Sequence, residues 1–395
     1  MSIACFILAG LTGVLYRLGF IGWLPGSLGL GNIRHAHSHL MFFGWAVPFP
    51  MYIIWTKIRT KERAQSLGSR RMKQGIIGGL LFGLLAYPFF LFYGYRPVEI
   101  GSVSLPLSVI ISGLVMISWY VYIWGYLKMR QLLDDKEQPW FDGALLLLFI
   151  CSLGAWSIAL VQALAPDNQL LMTGLTHFFL ASFTEGWVVL VLLGVLISAP
   201  NEREKNRKSI SHIPLALICL GAPLTFPYGI AESLLTPFLL AVARLGGAMA
   251  GIGLIWMLFS FLKTTAWHSS CWRWPIILLA FKAVMQLIAS VAPASLWLSD
   301  YGLRILYLHV LLLGALSITL MGWLNISSGS SKGYFNAVVL SIGITLVSLT
   351  LPTQVWPTAW RGGWIFYALA GAALLPVITV FVHWIAMIKP NIFRI

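Results

Sequence analysis

Three histidines at alternate positions open a long apolar stretch near the start of the chain, GNIRHAHSHLMFFGWAVPFP. In an α-helix, His35 and His39 lie one turn apart on one face, whereas His37 lies about 200° round from His35. One face could therefore hold a two-histidine metal site and the other a single axial ligand. Neutral imidazole is less costly in hydrocarbon than a charged side chain, so these histidines beside Arg34 indicate a bound metal, a haem or a proton path. Interfacial histidines satisfied by headgroups and water are the alternative.

The composition places these residues in a membrane. The 395 residues are 59% apolar and 10% charged, with a mean hydropathy of +0.85. Long uncharged runs between short polar loops predict an all-α polytopic membrane protein, because each span needs about 20 apolar residues to cross the bilayer core. We expect one transmembrane domain over 1–395, with the lipid bilayer as its partner. The four cysteines form no CxxC or CxxCH pair, so neither a disulfide framework nor covalent haem attachment is indicated.

The apolar runs predict twelve transmembrane helices. The first run shows no basic leader with a cleavage site, so we expect it to be retained as a span. The predicted spans are 3–23, 34–55, 75–95, 105–127, 143–164, 170–198, 212–230, 234–262, 274–291, 301–324, 334–351 and 363–388.

The net charge of +14 does not indicate a nucleic-acid partner, because no stacking platform or basic groove accompanies it. Most of the 26 basic residues fall in loops after even-numbered spans or in the C-terminal tail. The positive-inside rule then puts both termini in the cytoplasm, and we expect a bacterial-type inner (plasma) membrane. These loop residues include Lys57, Arg59, Lys61, Arg63, Arg70, Arg71, Lys73, Lys128, Arg130, Lys136, Arg203, Lys205, Arg207, Lys208, Lys263, Arg273 and Lys332, and the tail adds Lys389 and Arg394.

Three histidines lie at a similar predicted depth in this topology. His37, His177 and His309 fall in spans two, six and ten, roughly 5 to 12 Å inside the outer boundary. They are separated by about one third of the chain, and a Gly-Trp pair follows each of them. This spacing predicts a weak internal three-fold repeat of four-helix units, 1–130, 131–262 and 263–395.

Two of these histidines suit a haem. A haem b held between two helices needs one imidazole from each helix at the same depth and cationic groups at the water end for its propionates. His37 and His309 form the natural ligand pair. Arg34, Arg304 and Arg361 lie at the outer ends of spans two, ten and twelve, where propionates would emerge. The alternative is that these arginines only mark helix ends.

Glu185 is the carboxylate deepest in a predicted span. An uncompensated charge there costs several kcal/mol, so we expect the group to be protonated, paired or hydrated. A proton relay is the role we predict for it. Lys282 and His383 are weaker candidates. Motifs for hydrolases, nucleotide binding and zinc proteases are absent, which leaves those classes without support.

Four short motifs resemble the catalytic subunit of the haem-copper oxidase superfamily, the twelve-helix subunit of terminal oxidases and nitric oxide reductases. AGLTGVLYRLGF followed by HSHLMFFGWAVP resembles its first two helices, LYLHVLLLGA its tenth, and FTEGWVV the sixth helix of nitric oxide reductases. The resemblance implies one low-spin haem b on His37 and His309, with Glu185 as the intramembrane glutamate. It also implies an electron donor and respiratory or denitrification subunits as partners.

Three departures from that pattern concern the family's catalytic centre. Ala181 stands at the metal-ligating position of the sixth helix, the seventh helix reads TFPYGIAES without a histidine pair, and Tyr307 replaces the high-spin haem ligand. The resemblance therefore implies a surviving low-spin haem without the usual oxygen-reducing centre.

The family pattern does not use the remaining histidines, His35, His39 and His177. We predict that they form a relocated copper or iron site, with Glu185 or Tyr307 as catalytic groups. HAHSHLMFFGW is also similar to the NnrS-type haem- and copper-containing membrane proteins, although Ser38 stands where those have glutamate.

Three hypotheses for function follow. The first is a haem-binding membrane protein in electron transfer or in oxygen or nitrogen-oxide redox chemistry. The second is a cofactor-free transporter or channel for protons or metal ions. The third is a non-catalytic haem sensor or assembly subunit.

Overall fold

The structure is a computed structural model that describes residues 1–392 except 27, 63, 65, 200–210 and 263–264. It is 82% helical, and nine helices within the described ranges are long and apolar enough to cross a membrane. Two more apolar helices are shorter, Ile213–Gly229 and Lys332–Ser348. The prediction of an all-α polytopic membrane protein is confirmed. The predicted cytoplasmic residues Arg63, Arg203, Lys205, Arg207, Lys208, Lys263 and Arg394 lie outside the described residues.

Within the described residues, the connections between helices contain one hairpin and four 3₁₀ turns. A two-stranded antiparallel hairpin, β1 (Val98–Ile100) and β2 (Val103–Leu105), joins α4 to α5 and turns at Gly101, where φ is +62°. Short 3₁₀ turns occupy Arg130–Leu132, Phe226–Gly229, Glu232–Leu234 and Thr358–Trp360. The helices are α1 (Ser2–Gly19), α2 (Leu30–Met41), α3 (Pro48–Lys61), α4 (Leu67–Tyr93), α5 (Leu107–Met129), α6 (Gln138–Leu164), α7 (Gln169–Ala181), α8 (Val189–Ile197), α9 (Ile213–Leu224), α10 (Pro237–Phe261), α11 (Thr265–His268), α12 (Ser270–Val291), α13 (Ser295–Leu298), α14 (Tyr301–His309), α15 (Ser317–Ser328), α16 (Lys332–Ser348) and α17 (Trp364–Ile392).

The chain divides into two compact units. Unit 1 contains Met1–Leu132 and Leu320–Ile395, and unit 2 contains Leu133–Thr319. In unit 1, α4 packs along α5, and α1 packs on α2 and α17. In unit 2, α10 packs on both α9 and α12, and α6 packs on α7.

Close backbone contact holds the main helix pair of each unit together. In unit 1, a Cβ at Gly75 of α4 would lie 2.7 Å from the carbonyl oxygen of Ser118 on α5. In unit 2, a Cβ at Gly221 of α9 would lie 2.6 Å from the carbonyl oxygen of Gly246 on α10. Small residues allow this approach, which increases van der Waals contact where lipid provides no hydrophobic drive between helices.

Three π-helical segments interrupt the predicted spans two, six and ten, which carry His37, His177 and His309. They are π1 (Phe42–Ala46) between α2 and α3, π2 (Ser182–Val188) between α7 and α8, and π3 (Val310–Leu316) between α14 and α15. Each contains a glycine: Gly44, Gly186 and Gly314. A Cβ at Gly44 would lie 2.5 Å from the Cβ of Cys5 on α1, and one at Gly186 would lie 2.3 Å from Leu147 on α6. π-Helical turns are rare and concentrate at functional sites.

Candidate functional site

A buried charged network lies inside unit 2. Glu185, on π2, is 4% exposed, and its Oε2 is paired with the ammonium of Lys282 on α12. Its Oε1 accepts a hydrogen bond of 2.9 Å from the hydroxyl of Tyr307 on α14. Lys282 is 1% exposed and donates to Gln286 Oε1 at 2.6 Å. Of the alternatives predicted for Glu185, the structure shows pairing.

The network continues along one face of α12. Lys282, Gln286 and Ser290 follow one another at intervals of one helical turn, and all three are buried. The Ser290 hydroxyl donates to the backbone carbonyl of Gln286 at 2.9 Å. Gln286 Nε2 is buried and has no hydrogen-bond partner among the described residues. This face of α12 therefore carries groups that can hold and exchange a proton. It also carries the buried donor Gln286 Nε2, which has no hydrogen-bond partner among the described residues.

Two polar side chains close this face at the end of α12. The Tyr228 hydroxyl donates to the carbonyl of Ala289 at 3.2 Å, and Arg244 donates to the carbonyl of Ala292 at 3.1 Å. Sequence reasoning ranked Lys282 as a weaker candidate and missed Gln286. Their spacing on an apolar helix, with Ser290 following, is the signal that could have identified them.

His37 is held against α1 within unit 1. Its Nδ1 lies 2.7 Å from the carbonyl oxygen of Ala9. A carbonyl can only accept, so Nδ1 carries the proton and Nε2 carries the lone pair. A Cβ at Gly13 would lie 3.1 Å from the His37 ring, so the ring packs directly on the α1 backbone. A fixed ring with its lone pair on Nε2 fits an axial ligand of haem iron.

His309, the last residue of α14, has the same tautomer within unit 2. Its Nδ1 donates to the carbonyl of Ile305 at 2.8 Å, which leaves the lone pair on Nε2. Five residues earlier, the Nε of Arg304 is buried without a hydrogen-bond partner among the described residues. A buried cationic donor without a partner fits the propionate role predicted for Arg304.

The other two predicted propionate arginines are exposed. Arg34 lies on the exposed face of α2. Arg361 precedes α17, and its guanidinium donates to the carbonyl of Trp356 at 3.1 Å. The contact of Arg361 matches the alternative reading, in which an arginine marks a helix end.

His35 and His39 meet a tyrosine that sequence reasoning missed. His39 Nδ1 donates to the carbonyl of His35 at 2.9 Å, and its Nε2 accepts from the Tyr95 hydroxyl at 3.2 Å. The His35 ring centre lies 4.6 Å from that of Tyr95 and 6.2 Å from that of His39. Phe90 stacks on the other side of His39 at 3.8 Å. Tyr95 follows α4 after Gly94, outside any motif.

The remaining histidines have separate surroundings. His177, on α7 in unit 2, packs so closely on Gly229 that a Cβ there would lie 1.9 Å from its Nδ1. His383, on α17, is fully buried, and neither ring nitrogen has a hydrogen-bond partner among the described residues.

Across the described ranges, no group of three or more His, Cys, Asp and Glu side chains could hold a metal ion. The predicted set of His35, His39 and His177 therefore gains no support from the structure.

No protein-family model and no curated protein matches the chain. The likeness to haem-copper oxidases thus rests on the four motifs quoted above and remains a prediction.

Proposed function

We propose that this chain is a haem-binding integral membrane protein of redox function, with His37 and His309 as axial ligands of a b-type haem. The tautomer of both imidazoles carries the proposal, because each places its Nδ1 proton on a backbone carbonyl and its lone pair on Nε2. A bound haem would supply reversible one-electron transfer.

The role proposed for the charged residues follows from their surroundings. The Arg304 Nε, which has no hydrogen-bond partner among the described residues, is available to a propionate oxygen. Glu185 and Lys282 are almost fully buried and form, with Tyr307, a hydrogen-bonded network that can hold and transfer a proton. The predicted copper or iron, electron donor and respiratory or denitrification subunits belong to this proposal as well.

We also propose twelve transmembrane spans with both termini in the cytoplasm of a bacterial-type cell. Within the described residues, nine long helices, two shorter apolar helices and the interrupted segment α2–π1–α3 support this count. Each of the three predicted units carries one π segment, in spans two, six and ten, and this recurrence supports the three-fold repeat. Counted from the glycines, however, His39 rather than His37 is the counterpart of His309, because His39 lies five residues before Gly44 and His309 five residues before Gly314.

Visible spectroscopy of the purified protein tests the haem. We expect a bis-imidazole low-spin signal in the reduced-minus-oxidised spectrum, lost in His37→Ala and in His309→Ala. His39→Ala is the informative comparison, because His39 lies five residues before Gly44 just as His309 lies five residues before Gly314. We expect it to retain the haem, since its Nε2 already accepts from Tyr95. His212→Ala, at the exposed start of α9, is the control.

A spectrum without haem would overturn the proposal, as would one that persists in both ligand variants. Loss of the signal in His39→Ala with retention in His37→Ala would move the first ligand to His39.

A cofactor-free proton or ion transporter is the second candidate, favoured by the network around Glu185. Lys282 and Glu185 carry opposite charges within the apolar part of unit 2, as ion pathways through membranes do. Haem-free protein in liposomes with an internal pH dye tests it. Proton uptake that falls in Glu185→Gln would establish this candidate over the first.

A further inference from the structure

We propose that His35, His39 and Tyr95 form a copper site in unit 1, with two imidazole nitrogens and one phenolate oxygen as ligands. This site does not depend on the haem proposed above, but it rests on the copper included in that proposal and names its ligands. Tyr95 takes the place of His177, the predicted third ligand, because the fold puts Tyr95 in contact with both histidines.

The distances suit a shared metal ion. His39 Nε2 and the Tyr95 hydroxyl oxygen lie 3.2 Å apart. Two ligand atoms about 2.0 Å from one metal lie about 2.8 Å apart in square-planar geometry and about 3.3 Å apart in tetrahedral geometry. The observed separation falls between these values. The two donor atoms therefore already stand at the spacing that one metal ion imposes.

The second histidine lies within reach of the same point. Ring centres of two imidazoles bound to one metal lie about 5 to 6 Å apart, given the metal–nitrogen distance. The His35 and His39 ring centres are 6.2 Å apart, and His35 also contacts the Tyr95 ring. Because 6.2 Å lies slightly above that range, the proposed site requires the His35 ring to move towards the metal.

The surrounding hydrogen bonds hold the ligands in place. His39 Nδ1 donates to the His35 carbonyl, the arrangement that orients metal-binding histidines and directs Nε2 at the ion. Tyr95 is fixed by the turn at Gly94, whose φ is +62° and whose carbonyl accepts from Ser108 at 2.7 Å. Asn32 of α2 donates to the carbonyl of Phe92 at 3.0 Å, which ties the end of α4 to the histidine helix.

The ligand set selects the metal. Imidazole suits copper, zinc, iron and nickel, and among divalent ions copper binds most tightly. Tyr95 releases its hydroxyl proton to solvent when its oxygen binds the ion. The phenolate then reduces the charge of the site by one, which lowers repulsion with the neighbouring Arg34. Tyr95 is 45% exposed, so an ion and a fourth ligand from water can reach the site.

Titration of metal-free protein with one equivalent of Cu²⁺ tests the site. We expect stoichiometric binding, an electron paramagnetic resonance signal split by two nitrogens, and a phenolate-to-copper charge-transfer band. His35→Ala and His39→Ala should each weaken copper binding at least about tenfold. Tyr95→Phe should remove the charge-transfer band and keep the nitrogen splitting. Tyr93→Phe, two residues away and similarly exposed, should change neither.

Further variants separate this site from the other proposals. His177→Ala and His37→Ala should leave copper binding unchanged, and haem spectra of the same samples report the haem independently. Absence of stoichiometric copper would overturn the site, as would binding that survives both His35→Ala and His39→Ala, or a charge-transfer band that survives Tyr95→Phe. If the histidine variants do not fold, Tyr95→Phe still decides, because it removes only a hydroxyl.

Discussion

Lys282 and Glu185 form an ion pair in a place where either charge alone would be costly. Both side chains are almost fully buried, and each makes a second hydrogen bond, to Gln286 and Tyr307 respectively. Desolvation of two charges offsets much of their attraction, so such a pair adds little net stability. The two residues depend on each other, because removal of either one leaves the other as an unpaired buried charge.

Single and double substitutions of this pair should therefore differ in how much stability they cost. We expect Lys282→Met to lower the free energy of unfolding by about 3 to 5 kcal/mol, because Glu185 is left without its cation. The double variant Lys282→Met with Glu185→Gln should recover most of that loss. Thermal unfolding in detergent measures both. Equal losses in the single and double variants would contradict the buried pair.

At position 229, the neighbouring His177 side chain leaves no room for a residue larger than glycine. A Cβ there would overlap the His177 ring, at 1.9 Å from Nδ1. We expect Gly229→Ala to cost about 1 to 3 kcal/mol through overpacking. Gly343→Ala on α16, where a Cβ would meet nothing within 4 Å, is the matched control and should not destabilise. Unfolding midpoints compare the two; equal midpoints would place His177 elsewhere.

At the scale of elements, the start of α4 depends on an acid in the preceding loop. Glu62 Oε1 accepts from the backbone N–H of Ser66 at 2.6 Å, and Ser66 caps the helix by accepting from Ser69 at 3.2 Å. Burial acts to raise the pKa of Glu62, but hydrogen bonds from Ser66 and Ser69 and the charge of Arg59 outweigh it and lower the pKa below 4.5. The ionised carboxylate therefore stabilises the folded chain.

The pH dependence of this contribution follows from the direction of the shift. A lowered pKa means that the stabilisation is complete above the ordinary value and is lost as the pH falls through the folded-state pKa. Glu62→Gln should be less stable than the natural chain at pH 7, and the difference should shrink below about pH 4.5. Unfolding midpoints across pH check this. A difference that is constant with pH would contradict the role of the carboxylate.

At the scale of the whole molecule, apolar helices and loop charge together define how the chain sits in its membrane. The positive-inside rule predicts that the hairpin at 98–105 is outside and that the loop at 130–137 is cytoplasmic. Glu99→Cys should react with a membrane-impermeant maleimide in intact cells, and Asp135→Cys only after permeabilisation. Three native cysteines are buried and Cys219 is half-buried, so the natural chain gives the background. The reverse pattern would invert the proposed topology.

The sequence by itself determined the all-α membrane class, because the length of an apolar run sets whether it can cross a bilayer. It also identified Glu185, His37 and His309 as chemical groups, since polar side chains in such runs are few. Only the tertiary structure decided their partners. Lys282 lies 97 residues from Glu185, and Tyr95 lies 56 residues from His39. Such pairs form only where two particular helix faces pack together. The periodicity of a helix shows which of its faces is buried, but not which other helix packs against that face. The π segments could not be predicted from the sequence for a related reason: two of them lie where Gly44 and Gly186 pack closely against other helices.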